Sequence, residues 1–207
     1  MIDPSRYCSG IFSDVLDELG YRQQVIDGLT ANRPGARLFG RARTLRLETV
    51  DTTDERIRVG LGFLNRLGGR DVLVVEGSDT FAYFGELMTR LSLRQGLAGV
   101  VIGGLTRDAA FTRNAELPIF ARGTSPRDIK GRGRVAATEV KVSISGVGVV
   151  PGDYLFGDDD GLVVIPRQAE EEVFRRAAAK LEDEERIIRL IDGGTTIESL
   201  LDQVREF

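Results

Sequence analysis

Two short apolar runs, Val72-Leu73-Val74-Val75 and Val100-Val101-Ile102, flank a segment in which Leu87 and Leu91 recur at helical spacing before Gly96. An apolar run without alternation is the mark of a strand buried on both faces, and two such strands joined by a helix must run parallel. Strand, helix and strand therefore form a βαβ unit, which sets the fold class as α/β. A chain of 207 residues, 42% of them hydrophobic, fits one domain with a substantial core, so residues 1–207 are read as a single compact domain.

The remaining elements surround this unit. Ser13 is placed to cap a short helix that Gly20 ends, with Val15, Leu16 and Leu19 on its apolar face. Leu38 to Glu48 alternates apolar and mainly basic residues, which predicts a half-buried strand with solvated arginines. Leu117 to Gly123 reads as a short extended segment, and Thr124 to Arg134 as a mobile surface loop. Val140 to Val147 alternates strictly, and Asp158-Asp159-Asp160-Gly161 forms the turn of a later hairpin that ends in Leu162 to Ile165. An amphipathic helix from Ala169 to Leu190 and a final short helix complete a mixed central sheet with C-terminal helices.

Histidine is absent, which removes Ser-His-Asp and Cys-His catalysis and His-ligated zinc. Acid–base work falls to Asp, Glu, Lys, Tyr or metal-bound water. The lone Cys8 has no partner for an internal disulfide, and no stretch approaches the length needed to span a bilayer or the pattern of a signal peptide. A cytoplasmic protein is expected. A net charge of −4 and the absence of tryptophan argue against nucleic acid as a partner.

Ligands in α/β folds gather outside the carboxyl ends of parallel strands. Gly103-Gly104-Leu105-Thr106-Arg107-Asp108 follows the second buried strand there, with an arginine fork for a carboxylate and an aspartate as a hard oxygen ligand. By spacing alone, a structural ion pair is the commoner use of such a pair. Gly85-Glu86-Leu87-Met88 opens the intervening helix, whose free backbone N–H groups attract anions near the same edge, so that Glu86 and Asp108 can face one ion. The bland alternative is a Glu86 that merely complements the helix dipole. Asp158 to Gly161 lacks the glutamate of a calcium loop and is a turn.

The ordered set of Ser13-Asp14, Leu19-Gly20, Val74 to Gly77, Gly85-Glu86-Leu87, Gly103 to Asp108, Pro118 to Ala121, Pro151-Gly152-Asp153 and Asp158 to Gly161 before Pro166 resembles the regulator of ribonuclease E activity A family. That family includes class II pyruvate aldolases acting on 4-hydroxy-4-methyl-2-oxoglutarate. The resemblance implies a swivelling-domain type of α/β fold and a divalent-metal-dependent carbon–carbon lyase, cleaving such 2-oxo acids or decarboxylating oxaloacetate to pyruvate. Its aldolase members carry an acid, twenty intervening residues and Arg-Asp, and Glu86, residues 87 to 106 and Arg107-Asp108 keep that spacing.

By the same resemblance, Arg107 holds the pyruvoyl carboxylate, Asp108 binds Mg2+ or Mn2+, and Glu86 supports the metal through water. Backbone around Gly85, Leu87 and Met88 binds the substrate. Two positions depart from the pattern: Glu86 stands where Asp is usual, and Phe111 where many aldolases have an acid. The resemblance further implies a homotrimer or hexamer with sites at subunit interfaces, and Glu182 or Glu185 is a candidate for the acid lent by a neighbour. The alternative function is a non-catalytic regulator that binds a ribonuclease. The loop from Thr124 to Arg134, through Arg127 and Arg132, is expected to help select the substrate.

Overall fold

The computed structural model describes residues 2–50 and 57–204. After a single 3-10 turn at Pro4–Arg6, the chain forms helix α1 (Ser9–Glu18), short strands β1 (Val25–Ile26) and β2 (Thr30–Ala31), and the long strand β3 (Leu38–Thr49). Helix α2 (Ile57–Leu64) leads to β4 (Asp71–Glu76), β5 (Ala82–Phe84), α3 (Glu86–Gln95) and β6 (Gly99–Thr106). Then come α4 (Ala109–Thr112), β7 (Ile119–Thr124), β8 (Gly133–Thr138), β9 (Val142–Ile144) and β10 (Val147–Val149). Strands β11 (Tyr154–Asp158) and β12 (Gly161–Ile165) precede α5 (Glu170–Asp192) and α6 (Ile197–Gln203).

Ten of these strands make one mixed sheet along the order β1-β12-β11-β3-β4-β6-β7-β2, with β5 joined to β6 and β8 to β3. Strands β3, β4, β6 and β7 run parallel through its centre. The βαβ unit expected from the apolar runs is therefore present, and the sheet is mixed because antiparallel strands flank it.

The absence of alternation in β4 has a direct cause. Leu73 and Val75 pack on one face with Phe63, Phe84, Val100 and Ile102. Val72 and Val74 pack on the other with Val101, Ile144 and Val149, where the small β9–β10 hairpin acts as a lid. That hairpin turns through Ser145 and Gly146, both at positive φ, the geometry of a tight two-residue turn. A third apolar cluster joins α1 and α5 to the outer strands through Phe12, Phe156, Val173 and Ala177.

Three local expectations are corrected. Helix α1 begins at Ser9 rather than after Ser13, because its cap comes from a distant element. The Asp158 carboxylate, in the β11–β12 hairpin, accepts from the Ser9 N–H at 2.8 Å and the Ser9 hydroxyl at 2.7 Å. Gly20, at φ 85°, does end the helix. The arginines of β3 are paired rather than merely solvated: Arg41 with Glu170, Arg43 with Asp71 and Glu139, and Arg46 with Glu76.

The stretch from Thr124 to Arg134 is also held rather than free. The Ala82 N–H donates to the Arg127 carbonyl at 2.8 Å, Asp128 pairs with Arg107, Ile129 is buried, and Gly133 and Arg134 already belong to β8. The hairpin expected at Asp158 to Gly161 is present, with Asp158 opposite Gly161.

Candidate functional site

The site lies where β6 ends and α3 begins. Strand β5 runs parallel to the end of β6, pairing Ala82 with Leu105 and Phe84 with Thr106, so the chain enters α3 beside Arg107 and Asp108. The Arg107 N–H donates to the Phe84 carbonyl at 2.9 Å and fixes that junction. Gly104 is required just upstream, since a Cβ there would lie 2.5 Å from both the backbone nitrogen and oxygen of Ser78. The two strand ends can approach only if one of them lacks a side chain.

Asp108 has φ 56° and ψ 45°, the left-handed conformation that Asp and Asn tolerate better than other non-glycine residues. The turn aims its side chain back at the helix. The Glu86 N–H donates to Asp108 Oδ2 at 2.9 Å, while Gly85, the residue at the cap position, has no side chain to offer. Asp108 thus caps α3 across 22 positions of sequence. The N–H groups of Leu87 and Met88 lie in the first turn, where a helix provides no internal acceptor and the dipole favours an anion.

Arg107 points to the same place. One guanidinium nitrogen lies 3.0 Å from Asp128 Oδ2, and Nε lies 3.7 Å from Asp108 Oδ2. Gly85 makes this proximity possible, because a Cβ there would sit 2.4 Å from Asp108 Oδ2 and 2.8 Å from Arg107 Cγ. Two openings meet at the Arg107–Asp108 pair. One, of about 340 Å3, is floored by Ala109, Thr124, Ser125 and Pro126. The other, of about 220 Å3, is bounded by Gly85, Leu87, Met88 and Asp128.

Glu86 takes a different direction. Its carboxylate binds Arg90, one turn along the helix, at 2.7 and 2.9 Å, and the Arg90 guanidinium lies 4.3 Å over the ring of Phe111. The structure therefore brings the backbone of Glu86 to Asp108, while the Glu86 side chain faces Arg90. Arg107, Asp108, Gly85, Leu87 and Met88 come together around one cavity. Of the acids considered for a neighbouring subunit, Glu185 binds Arg6 at 2.7 Å within the chain, whereas Glu182 stands exposed.

Asp128 and Tyr83 were not anticipated from the sequence. Asp128 lies in a polar stretch with no local signal, and only its long-range contact with Arg107 marks it. Tyr83 could have been suspected as an aromatic residue two positions before Gly85. Burial raises its phenol above the usual tyrosine range, and the hydroxyl has no hydrogen-bond partner among the described residues.

Only oxygen donors are present for a metal among the described acids: the carboxylates of Asp108, Asp128 and, at the first position of α3, Glu86. No group of three or more acidic, histidine or cysteine side chains is arranged to enclose an ion among the described residues. One or two protein carboxylates with water and substrate completing the shell suits a hard cation such as Mg2+ or Mn2+, so the donor set fits.

Fold and site together define an α/β protein with a crevice, lined by Arg107, Asp108 and the opening turn of α3, at the carboxyl edge of its parallel strands. A family model described as Aldolase/RraA, RraA-like, matches residues 11–164, and the chain belongs to that family. It is 30% identical over 195 residues to Protein DlpA of Legionella pneumophila, covering 92% of this chain but 31% of that protein. Over 175 residues it is 33% identical to a Halalkalibacterium halodurans protein named "Putative 4-hydroxy-4-methyl-2-oxoglutarate aldolase", covering 84% of this chain and 79% of that one.

Among solved structures, an uncharacterized protein of Pseudomonas syringae pv. tomato superposes with a TM-score of 0.82 at 32% identity, over 92% of this chain and 90% of that one. RraAS2 of Streptomyces coelicolor, described as an unusual member of the RNase ES inhibitor RraA protein family, gives 0.79 at 33%, over 89% and 92%. The family thus spans proteins named as aldolases and proteins named as ribonuclease inhibitors. No described helix is long and apolar enough to cross a membrane.

Proposed function

We propose that this protein is a divalent-metal-dependent carbon–carbon lyase acting on a small 2-oxo acid to release pyruvate, by aldol cleavage of a 4-hydroxy-2-oxo acid or by decarboxylation of oxaloacetate. The observation that carries this reading is the convergence, across 22 positions of sequence, of the Asp108 carboxylate, the Arg107 guanidinium and the opening turn of α3 on one cavity. A protein whose only task was to dock another through its surface would not need a carboxylate and an arginine aimed with a helix N-terminus into a crevice.

Arg107 offers a bidentate fork to the substrate carboxylate, and Asp128 holds that fork in orientation. The Leu87 and Met88 N–H groups add a fixed positive potential at the same end. Asp108 and, through water, Glu86 would hold Mg2+ or Mn2+. The ion would supply charge stabilisation for the enolate that forms when the bond to C3 breaks, and would make its water a proton source without histidine. Asp108, tied to the Glu86 N–H, keeps its position as charge develops, which lowers the reorganisation the reaction requires.

Assembly as a trimer or paired trimers, with Glu182 lent to a neighbour's site, belongs to the same proposal, and light scattering measures it. The catalytic test is pyruvate release from 4-hydroxy-4-methyl-2-oxoglutarate and oxaloacetate with Mg2+, Mn2+ or chelator. Wild type is compared with Asp108→Asn, because asparagine tolerates the left-handed backbone. Metal-dependent turnover lost in the variant is the expected result. Absence of turnover on both acids under either metal, together with a stable complex with a ribonuclease, would replace the lyase reading with that of a regulator.

A further inference from the structure

We propose that Arg90, seated on the ring of Phe111, is a positioning residue that restrains the Glu86 carboxylate from direct contact with the metal and leaves the ion to Asp108. This rests on the metal-dependent reading above and deepens it. Arg90 lies one turn along α3 from Glu86, and both of its contacts, Nε at 2.9 Å and a terminal nitrogen at 2.7 Å, fall on Glu86 Oε1. A glutamate four positions before a cation is the favourable order for such a pair on a helix. All three side chains belong to α3 and α4 of one chain, so the arrangement requires no surface of a neighbouring subunit.

An exposed ion pair is ordinarily weak, because ordering two long side chains offsets much of its attraction. The Glu86 and Arg90 side chains are 39% and 59% exposed, and Phe111 changes the balance between them. Its ring centroid lies 4.3 Å from the guanidinium carbon, so one partner is already held when the pair forms. A ring takes the face of a guanidinium and leaves the N–H edge to Glu86. A carboxylate at position 111 would compete for those same N–H groups. The two positions that depart from the family pattern, 86 and 111, thus meet on one arginine.

The backbone of Glu86 stays at the site, where its N–H donates to Asp108 Oδ2 at 2.9 Å, while its side chain is drawn along the helix. Negative charge shared with a guanidinium attracts a nearby cation less. A hard divalent ion also binds more weakly as the carboxylates that reach it become fewer. Such an ion depends more on the substrate's own oxygens to complete its shell. Releasing Glu86 from Arg90 therefore tightens the hold on the metal.

Mn2+ binding in the absence of substrate, read from the loss of the free-ion electron paramagnetic resonance signal, tests the inference. Wild type is compared with Arg90→Met, Glu86→Gln, the double variant, Phe111→Leu and Asp108→Asn, and size-exclusion chromatography confirms that each assembles as wild type does. We expect Arg90→Met to tighten Mn2+ binding by about three- to tenfold, and the same change in the Glu86→Gln background to give less than half that factor. Phe111→Leu, which alters no charge, should tighten binding by about twofold. With binding weakened in Asp108→Asn, any of three results overturns the inference and leaves the metal site standing: no tightening in Arg90→Met, equal tightening in both backgrounds, or no change in Phe111→Leu. If wild type takes up no Mn2+, or Asp108→Asn leaves its uptake unchanged, the metal reading and this inference both fall.

Discussion

Gly85→Ala isolates the geometry of the site from the stability of the fold. The backbone at Gly85 has φ −151°, an extended value that alanine adopts without strain, so the substitution acts through its new methyl group alone. That methyl would stand 2.4 Å from Asp108 Oδ2 and 2.8 Å from Arg107 Cγ. An ordinary contact needs about 3.4 Å or more, so the carboxylate must retreat by about 1 Å. The same Oδ2 accepts the Glu86 N–H at 2.9 Å, and the retreat breaks or bends that bond.

A displacement of about 1 Å in a group that orients substrate or metal costs roughly 100-fold in rate. The stability cost is smaller, because the Asp108 side chain is 42% exposed and water replaces the lost partner. We expect under about 1 kcal/mol, a shift in Tm of no more than about 3 °C. The assay couples pyruvate release to lactate dehydrogenase in parallel with a thermal melt. Turnover within twofold of wild type would refute the reasoning, as would a melt lowered by about 10 °C, which would show that the contact supports the fold rather than the site.

Removing the distant cap of α1 with Asp158→Ala should lower stability by about 1–2 kcal/mol in urea denaturation, since Ser9 loses acceptors for both its N–H and its hydroxyl; an unchanged midpoint would show that water replaces the cap. Tyr83→Phe deletes a buried hydroxyl that has no partner among the described residues, so stability should hold or rise by up to about 1 kcal/mol, and a clear loss would contradict that packing. Burial opposes the charge on Lys180, but its hydrogen bond and attraction to Asp14, with Glu18 nearby, outweigh burial and raise its pKa above the ordinary 10.5. The stabilisation this provides is complete below that value and is lost as pH rises through the raised one. A stability–pH profile that falls above pH 10.5 should therefore flatten in Lys180→Met, and an unaltered slope would sink the assignment.

What the sequence reveals divides by distance along the chain. The β4–α3–β6 unit was legible because its signals are local: unbroken apolar runs, helical spacing and a left-handed Gly96 as terminator. The juxtaposition of Glu86 with Asp108 followed from the topology of that unit, since a parallel crossover returns the chain to the same edge. The start of α1 was misread because its cap lies 149 residues away, and Ser13 carries the same local signal as a true cap. Asp128 escaped for the same reason: its neighbours in sequence are those of a surface loop, and only the fold carries it to Arg107. The turn of the Glu86 side chain toward Arg90 is an i,i+4 pair that helical spacing permits, whereas the seating of Arg90 over the Phe111 ring depends on packing between α3 and α4 that no spacing encodes.

The left-handed backbone at Asp108 limits how this site can change over evolutionary time. A position with φ 56° admits aspartate, asparagine or glycine at little cost, whereas most other side chains clash with their own backbone there. Glutamate, chemically the nearest replacement, costs about 1–2 kcal/mol more in that conformation, a cost this chain bears at Glu139, with φ 55°. A descendant that abandons the chemistry but keeps the loop therefore has short, cheap routes through asparagine or glycine, each removing the charge in one step. Such a lineage would retain the crevice and its arginine, free for recruitment to ligand binding without turnover.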